Sequence, residues 1–215
     1  MNKIEYFLIL IIYIFFFSCS NENKSSNLSK KQELLNNEEL YFVLDELFRF
    51  DLYDTDLLET ETMRLHKREV DIEIKGDLPP PPPYKEFDKD YFSRLVERKI
   101  LTNEEANYMF KNIDTIKILT LDSSRINSIK TIDSKELSGY FKKLGTDSAY
   151  NYLYKVKKVW EFATISTPIF SEKRDKLILI VHTSCGGTCG EGYVYIFAKK
   201  NKKWKIITKY TIFVS

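Results

Sequence analysis

Residues that carry chemistry are scarce in this chain: its 215 residues hold two histidines, three cysteines and seven glycines. His66 and His182 lie far apart in sequence, and neither belongs to an H-E-x-x-H pair. The glycines form no G-x-S-x-G elbow and no phosphate-cradling loop. The acidic stretch "DELFRFDLYDTDLLETE" lacks the glycine and spacing of a calcium loop and reads as a solvated surface. These absences remove the common hydrolase, zinc-protease and phosphate-handling chemistries, so the expectation is a protein that is not an enzyme and needs no cofactor. Charge of one sign is lacking too. Basic and acidic residues number 33 and 31, a net +2, which supplies no basic stripe for nucleic acid. The densest basic cluster, "KKNKK" at Lys199 to Lys203, falls where a hairpin tip is expected. A long apolar run is also missing. The longest, "FLILIIYIFFF" from Phe7 to Phe17, is too short to cross a bilayer as a helix, which takes roughly 20 residues.

What is present begins with that run. It follows a short polar start with Lys3 and has the length of the apolar core of an export signal, about 7–15 residues. It ends at Ser18 and Cys19, and this arrangement resembles a bacterial lipoprotein signal. In that family of signals the cysteine after the apolar run is acylated and becomes the new N-terminus. Phe16 and Phe17 depart from the leucine and small residue more common there. The resemblance implies a signal peptide over 1–18, lipidation of Cys19 and a membrane-anchored place in the bacterial cell envelope. Ser20 resembles the residue that sorts such proteins to the outer membrane. Several acyl chains on one residue hold stably, whereas a single chain binds only marginally. "SNENKSSNLSKKQ", Ser20 to Gln32, is polar and free of aromatics, so residues 19–36 read as a disordered tether.

The body divides by pattern. "NNEELYFVLDELFRFD" sets Leu40, Val43, Leu44, Leu47 and Phe48 at helical spacing, with Asn36 or Asn37 as N-cap, predicting a helix over about 37–50. Val70, Ile72 and Ile74 alternate with charged residues and predict a half-exposed strand ending at Gly76. Five prolines, Pro79 to Pro83, then enforce polyproline II, a stiff spacer or a docking segment that closes a small subdomain over 37–84. Residues 85–215 form the main domain. "DKDYFSRLVERKIL" and "TNEEANYMFKNI" predict two short helices, the second opened by a Thr102–Glu105 capping box. "TIKILTL" predicts a short strand. "DSKELSGYFKKLG" predicts a helix from Asp133 to Gly145, and "SAYNYLYKVKKVW", with four aromatics, a further one. The last fifty residues hold four strand-like runs with short links, which predicts an antiparallel meander. Trp204, Ile206, Tyr210 and Ile212 would share one face of its last strand, and "LILIV" would be a central strand covered on both sides. The expected fold is α+β, with N-terminal helices packed on one face of a C-terminal antiparallel four-stranded sheet.

"ILTNEEANYMFKNID", "ISTPIF" and "CGGTCGEGYVYIFAKKNKKWKI" together resemble a group of small bacterial envelope lipoproteins that share an S-x-P-x-F strand, a C-G-x-x-C-G-x-G loop and a strand ending K-x-x-x-x-W-K. The resemblance covers roughly residues 85–215 and implies a shared architecture, without an assigned chemistry. The loop "HTSCGGTCGEGY" stays open to three readings. Cys185 and Cys189 are the thiols left once Cys19 is acylated, and pairing is the default in an oxidising compartment. Gly186, Gly187 and Gly190 would permit positive φ angles in so small a ring. With His182 the loop reads H-x-x-C-x-x-x-C, a ligand set suited to zinc or copper(I), though no fourth ligand stands nearby. A redox pair is the third reading, but the C-x-x-x-C spacing and strand flanks lack the helix terminus that activates a thiol. The functional expectation is a lipid-anchored, non-catalytic envelope lipoprotein that binds another envelope protein or serves assembly. The alternatives are a periplasmic thiol or metal protein using His182, Cys185 and Cys189, or an immunity-type lipoprotein. Substituting Cys19→Ala should leave uncleaved precursor or release the protein from the membrane. Fractionation with palmitate labelling reads this, and normal maturation with retained anchoring would sink the lipoprotein reading.

Overall fold

The structure is a computed structural model and describes residues 38–67 and 86–215. The chain divides into two compact units, Met1–Leu40 and Tyr41–Ser215. Cys19, the expected strand at Val70 to Ile74 and the proline run Pro79 to Pro83 lie outside the described residues.

Strand β7 (Lys176–Gly186) organises the second unit, because Leu177, Ile178, Leu179, Ile180 and Val181 are all fully buried. A strand apolar on both sides demands cover on both sides. On one edge β8 (Cys189–Lys200) pairs antiparallel with β7, and β9 (Lys203–Val214) pairs antiparallel with β8. On the other edge stand β5 (Phe162–Ile165) and β6 (Ile169–Phe170), both antiparallel to β7. The sheet continues past β5 through β1 (Leu57–Glu59) to β4 (Lys130–Ile132), each parallel to its neighbour. The order is β4-β1-β5-β7-β8-β9, with β6 beside β7. The α+β class therefore holds, but the expected four-stranded antiparallel meander is corrected to a seven-stranded mixed sheet. Strands β1 and β4 are three residues long, too short to show alternation, and β1 pairs with residues far along the chain in both β4 and β5. A separate parallel pair joins β2 (His66–Lys67) to β3 (Glu86–Phe87).

Helices cover both faces rather than one, a second correction. Helix α2 (Lys89–Glu97) is capped by Asp88, which accepts the Tyr91 N–H at 2.7 Å, and α3 (Asn103–Asn112) opens with the Thr102–Glu105 capping box. Their Tyr91, Phe92, Leu95, Ala106 and Met109 pack with Ile178, Ile180, Val194 and Ile196. The opposite face carries Leu177, Leu179, Tyr195 and Phe197. Helix α1 (residues 38–50) buries Val43, Leu44, Leu47 and Phe48 and is tied to that face at its exit. There Asp51 accepts the Tyr195 hydroxyl and stands 2.8 Å from the Lys209 ammonium, which lies 3.8 Å above the Tyr193 ring. Asp51 is thus a structural tie and not the solvated carboxylate its neighbours suggested.

A bulge joins β5 to β6. Ile165 pairs with Val181 and Ile169 with Ile178, so four steps on one strand oppose three on the other. Pro168 has no N–H to give the ladder. Ser166, fully buried, fills the gap from both ends: its N–H donates to the Ile180 carbonyl at 2.8 Å and its hydroxyl accepts the Ile180 N–H at 3.0 Å. Thr167 donates its N–H to the Met63 carbonyl at 2.9 Å, and its hydroxyl shares a 2.7 Å hydrogen bond with that of Thr62. Thr62 in turn accepts the Leu119 N–H at 2.8 Å. The expected strand at Thr115 to Leu121 is replaced by the end of a 3-10 turn, Ile113–Thr115, and irregular chain with one bridge, Glu61 to Thr120.

Two bulges in β9, near Ile207 and Ile212, overturn another expectation. An extra residue reverses which side chains face which way. Trp204 therefore meets Phe170 on one face, while Tyr210 and Ile212 pack on the α2–α3 side. The "KKNKK" cluster is a hairpin turn as expected, with φ of 51° at Asn201 and 64° at Lys202, the positive pair of a type I′ turn.

Substituting Ser166→Ala leaves the Ile180 N–H without its acceptor and should cost about 1–3 kcal/mol in urea unfolding. Unchanged stability would refute the role given to that hydroxyl. A second expectation concerns alkali. Burial, followed by the charge on Tyr210, raises the pKa of Tyr91 above the ordinary 10.0. Burial, followed by the Asp51 hydrogen bond, does the same for Tyr195. A group whose folded pKa is raised stabilises fully below its unfolded value and progressively less above it. Stability should be insensitive to these two tyrosines below pH 10.0 and fall above it, as a pH series of unfolding midpoints would read.

Candidate functional site

The cysteine loop is the turn between β7 and β8. Gly186 pairs with Cys189 across a two-residue tip, and Cys185 is the extra residue where the register slips. The two cysteines are joined by a disulfide, with Cα atoms 5.1 Å apart, inside the usual span for such a bond. The glycines act differently from expectation, since Gly145 is the described glycine with positive φ. Gly190 is needed for close approach instead. A Cβ there would stand 2.6 Å from the Thr183 carbonyl oxygen, closer than van der Waals contact permits. Gly192 likewise makes room for the Phe213 ring, whose edge a Cβ there would overlap. The chain end clamps this hairpin, as Ser215 donates its N–H to the Gly190 carbonyl at 3.0 Å.

His182 does not approach the sulfurs as part of a ligand set. It is buried in β7 between Thr164 and Gly192, with its ring centre 5.5 Å from that of Phe213. Among the described residues no group of three histidine, cysteine, aspartate or glutamate side chains is placed to hold a metal ion. His66 stands exposed on β2.

Beside the disulfide tip lies a groove of about 450 Å³, lined by Asp147, Tyr150, Asn151, Tyr154, Trp160, Cys185 and Gly187. Its wall comes from helix α5 (Thr146–Tyr152) and the turn after it, which follow helix α4 (Ser134–Leu144). Asp133 caps α4 by accepting the Lys135 and Glu136 N–H groups, and Gly145, with φ of 76°, separates the two helices. After α5 the chain widens into a π-helical turn, Leu153–Lys157, and closes at Lys158 in the left-handed region. Such turns are rare and concentrate at functional places. This one carries Tyr154 out of the helix and returns the chain at Trp160.

Trp160 is held from behind. The Asp56 carboxylate accepts the N–H of Trp160 at 2.6 Å and of Glu161 at 3.2 Å. Its ring meets that of Tyr154 edge-on, with centroids 5.0 Å apart and planes at 74°. Yet the two residues are 63% and 51% exposed, a ledge of large rings with little cover. Tyr150 forms the floor, stacked on Phe162 at 6.1 Å and edge-on to Phe141 at 5.0 Å. Its hydroxyl pKa is raised by burial, offset by a hydrogen bond with Ser184, the residue before Cys185. The hairpin tip is close on the other side: a Cβ at Gly187 would stand 3.3 Å from an Asp147 carboxylate oxygen. The disulfide thus borders a prebuilt aromatic groove. A larger cleft of about 820 Å³ lies across the π-helical turn, where Lys157 faces Glu136 at 3.5 Å.

Sequence reasoning singled out the cysteines and placed them correctly at the tip, but it missed the ledge. The aromatics of "SAYNYLYKVKKVW" were visible; their exposure was not, because a tyrosine stripe on a helix ordinarily points inward. Comparison with protein-family models, with curated proteins and with solved structures finds no match.

Replacing both cysteines, Cys185→Ser and Cys189→Ser, should cost about 2 kcal/mol in urea unfolding, the size expected for so short a ring. Unreduced protein should give a tip peptide two hydrogens lighter than the dithiol. Alkylation of both thiols without prior reduction would remove the staple.

Proposed function

We propose that the protein is a lipid-anchored lipoprotein of the bacterial cell envelope, sorted to the outer membrane through Cys19 and Ser20, whose folded body binds another protein without catalysing a reaction. The observation that carries the binding role is the Tyr154–Trp160 ledge, two large rings exposed beside a groove, in edge-on contact with each other and with the Trp160 backbone N–H held by Asp56. Tryptophan and tyrosine dominate the energetics of protein interfaces because they bury much area at little cost in side-chain entropy. Isolated exposed hydrophobics need no explanation, whereas a contiguous, preformed apolar surface marks an interaction site. The export reading is supported by the apolar run before Cys19 and by the paired Cys185 and Cys189, which suit an oxidising compartment.

The membrane anchor and tether would let the body reach partners on neighbouring envelope components while staying at the surface. Placing a photo-crosslinking residue at position 160 in the native envelope should yield a discrete protein adduct. The same residue at position 108, the exposed Tyr108 on α3, should not. Equal labelling at both positions, or none at 160, would refute the groove as the binding surface.

A further inference from the structure

The groove's chemistry is asymmetric. Three rings, those of Tyr150, Tyr154 and Trp160, surround one formal charge, the Asp147 carboxylate, and no lysine or arginine lines it. Asp147 is exposed and joins no ion pair among the described residues. On the π-helical turn, Lys157 is turned to other work, since it stands 3.5 Å from Glu136 and lies over the Tyr140 ring. A negative charge set among ring faces is the arrangement that attracts a cation. The ring quadrupoles and the carboxylate act on it together, and the rings strip it of water at low cost because they are already in place. An anionic ligand meets only repulsion there, and a neutral one leaves the carboxylate unanswered.

Resting on the protein-binding reading above, we infer that this groove accepts a lysine or arginine side chain presented by the partner, with Asp147 as its counter-ion and Trp160 and Tyr154 as its cation–π walls. Asn151 on the same wall supplies a neutral amide for the partner's backbone or for the remaining N–H groups of a guanidinium. The disulfide hairpin forms the opposite rim, so the pocket's width depends on the Cys185–Cys189 bond.

The protein carries its own reporter, because Trp160 is exposed while the other tryptophan, Trp204, is 4% exposed. N-acetyl-lysine amide, N-acetyl-arginine amide and tetramethylammonium should each change Trp160 emission saturably. N-acetyl-glutamine amide should not. Rising salt should weaken the response, and Asp147→Asn, an exposed substitution that leaves the fold intact by circular dichroism, should weaken it about tenfold. Trp160→Phe should remove the signal. Equal response to the neutral amide, or indifference to Asp147→Asn, would overturn the inference. So would saturation by chitotriose in place of the cations, which would make the groove a glycan site. The two readings separate in the photo-crosslinking experiment. An adduct at position 160 that survives Asp147→Asn keeps protein binding and discards the cation. Cation binding with no adduct keeps the pocket's chemistry and discards the protein partner.

Discussion

Five consecutive aliphatic side chains with no exposure, Leu177 to Val181, place a constraint on everything around them. Burying each contributes about 1.5–3 kcal/mol only if both faces of the strand are sealed. That requirement puts α2 and α3 on one face and the exit of α1 on the other, and it puts paired strands on both edges. The strand therefore lies inside the sheet, as its two-sided apolar pattern leads one to expect. The short parallel strands β1 and β4 extend the sheet on the β5 side, and the long β8–β9 hairpin extends it on the other.

Covering β7 leaves polar groups that water no longer reaches, and a small set of side chains answers them. Ser166 takes over the ladder contact that Pro168 and the bulge interrupt. Glu105 closes the capping box of α3 and accepts from the Lys176 ammonium at 2.7 Å, joining that helix to the start of β7. Asp51 ties α1 to β8 and β9. Asp56 holds the chain where it re-enters the sheet before β5. Each is a charged or hydroxylic residue that reads from sequence as surface. In the fold each ends an element and meets a partner distant in sequence.

The same re-entry point builds the groove. Helix α5 cannot run straight into β5, so the chain loosens through the π-helical turn and reverses at Lys158. That detour leaves Tyr154 and Trp160 outside the core while Leu153 and Val159 stay within it. The disulfide hairpin closes the other rim because β7 and β8 run beyond the sheet's other strands. Exposed rings, a lone carboxylate and a covalent rim thus follow from how one helix is joined to one strand.

Periodicity alone determined the helices at residues 38–50, Lys89–Glu97, Asn103–Asn112 and Ser134–Leu144, because their caps and apolar spacing are local. It also determined the order of the final strands, where short links leave few alternatives, whereas the choice of a disulfide among the three readings of the cysteine loop came from the tertiary structure. The three-residue strands and the bulge that turns Tyr210 and Ile212 away from the Trp204 face were decided by tertiary structure, whereas the two-sided cover of β7 was already legible in its unbroken apolar run. A three-residue strand carries no period, and a single inserted residue reverses facing without altering composition. The ledge belongs to the same class. Whether an aromatic residue on a helix is core or contact depends on what packs against it, and that is settled only when β7 has been buried and the chain has been brought back around it.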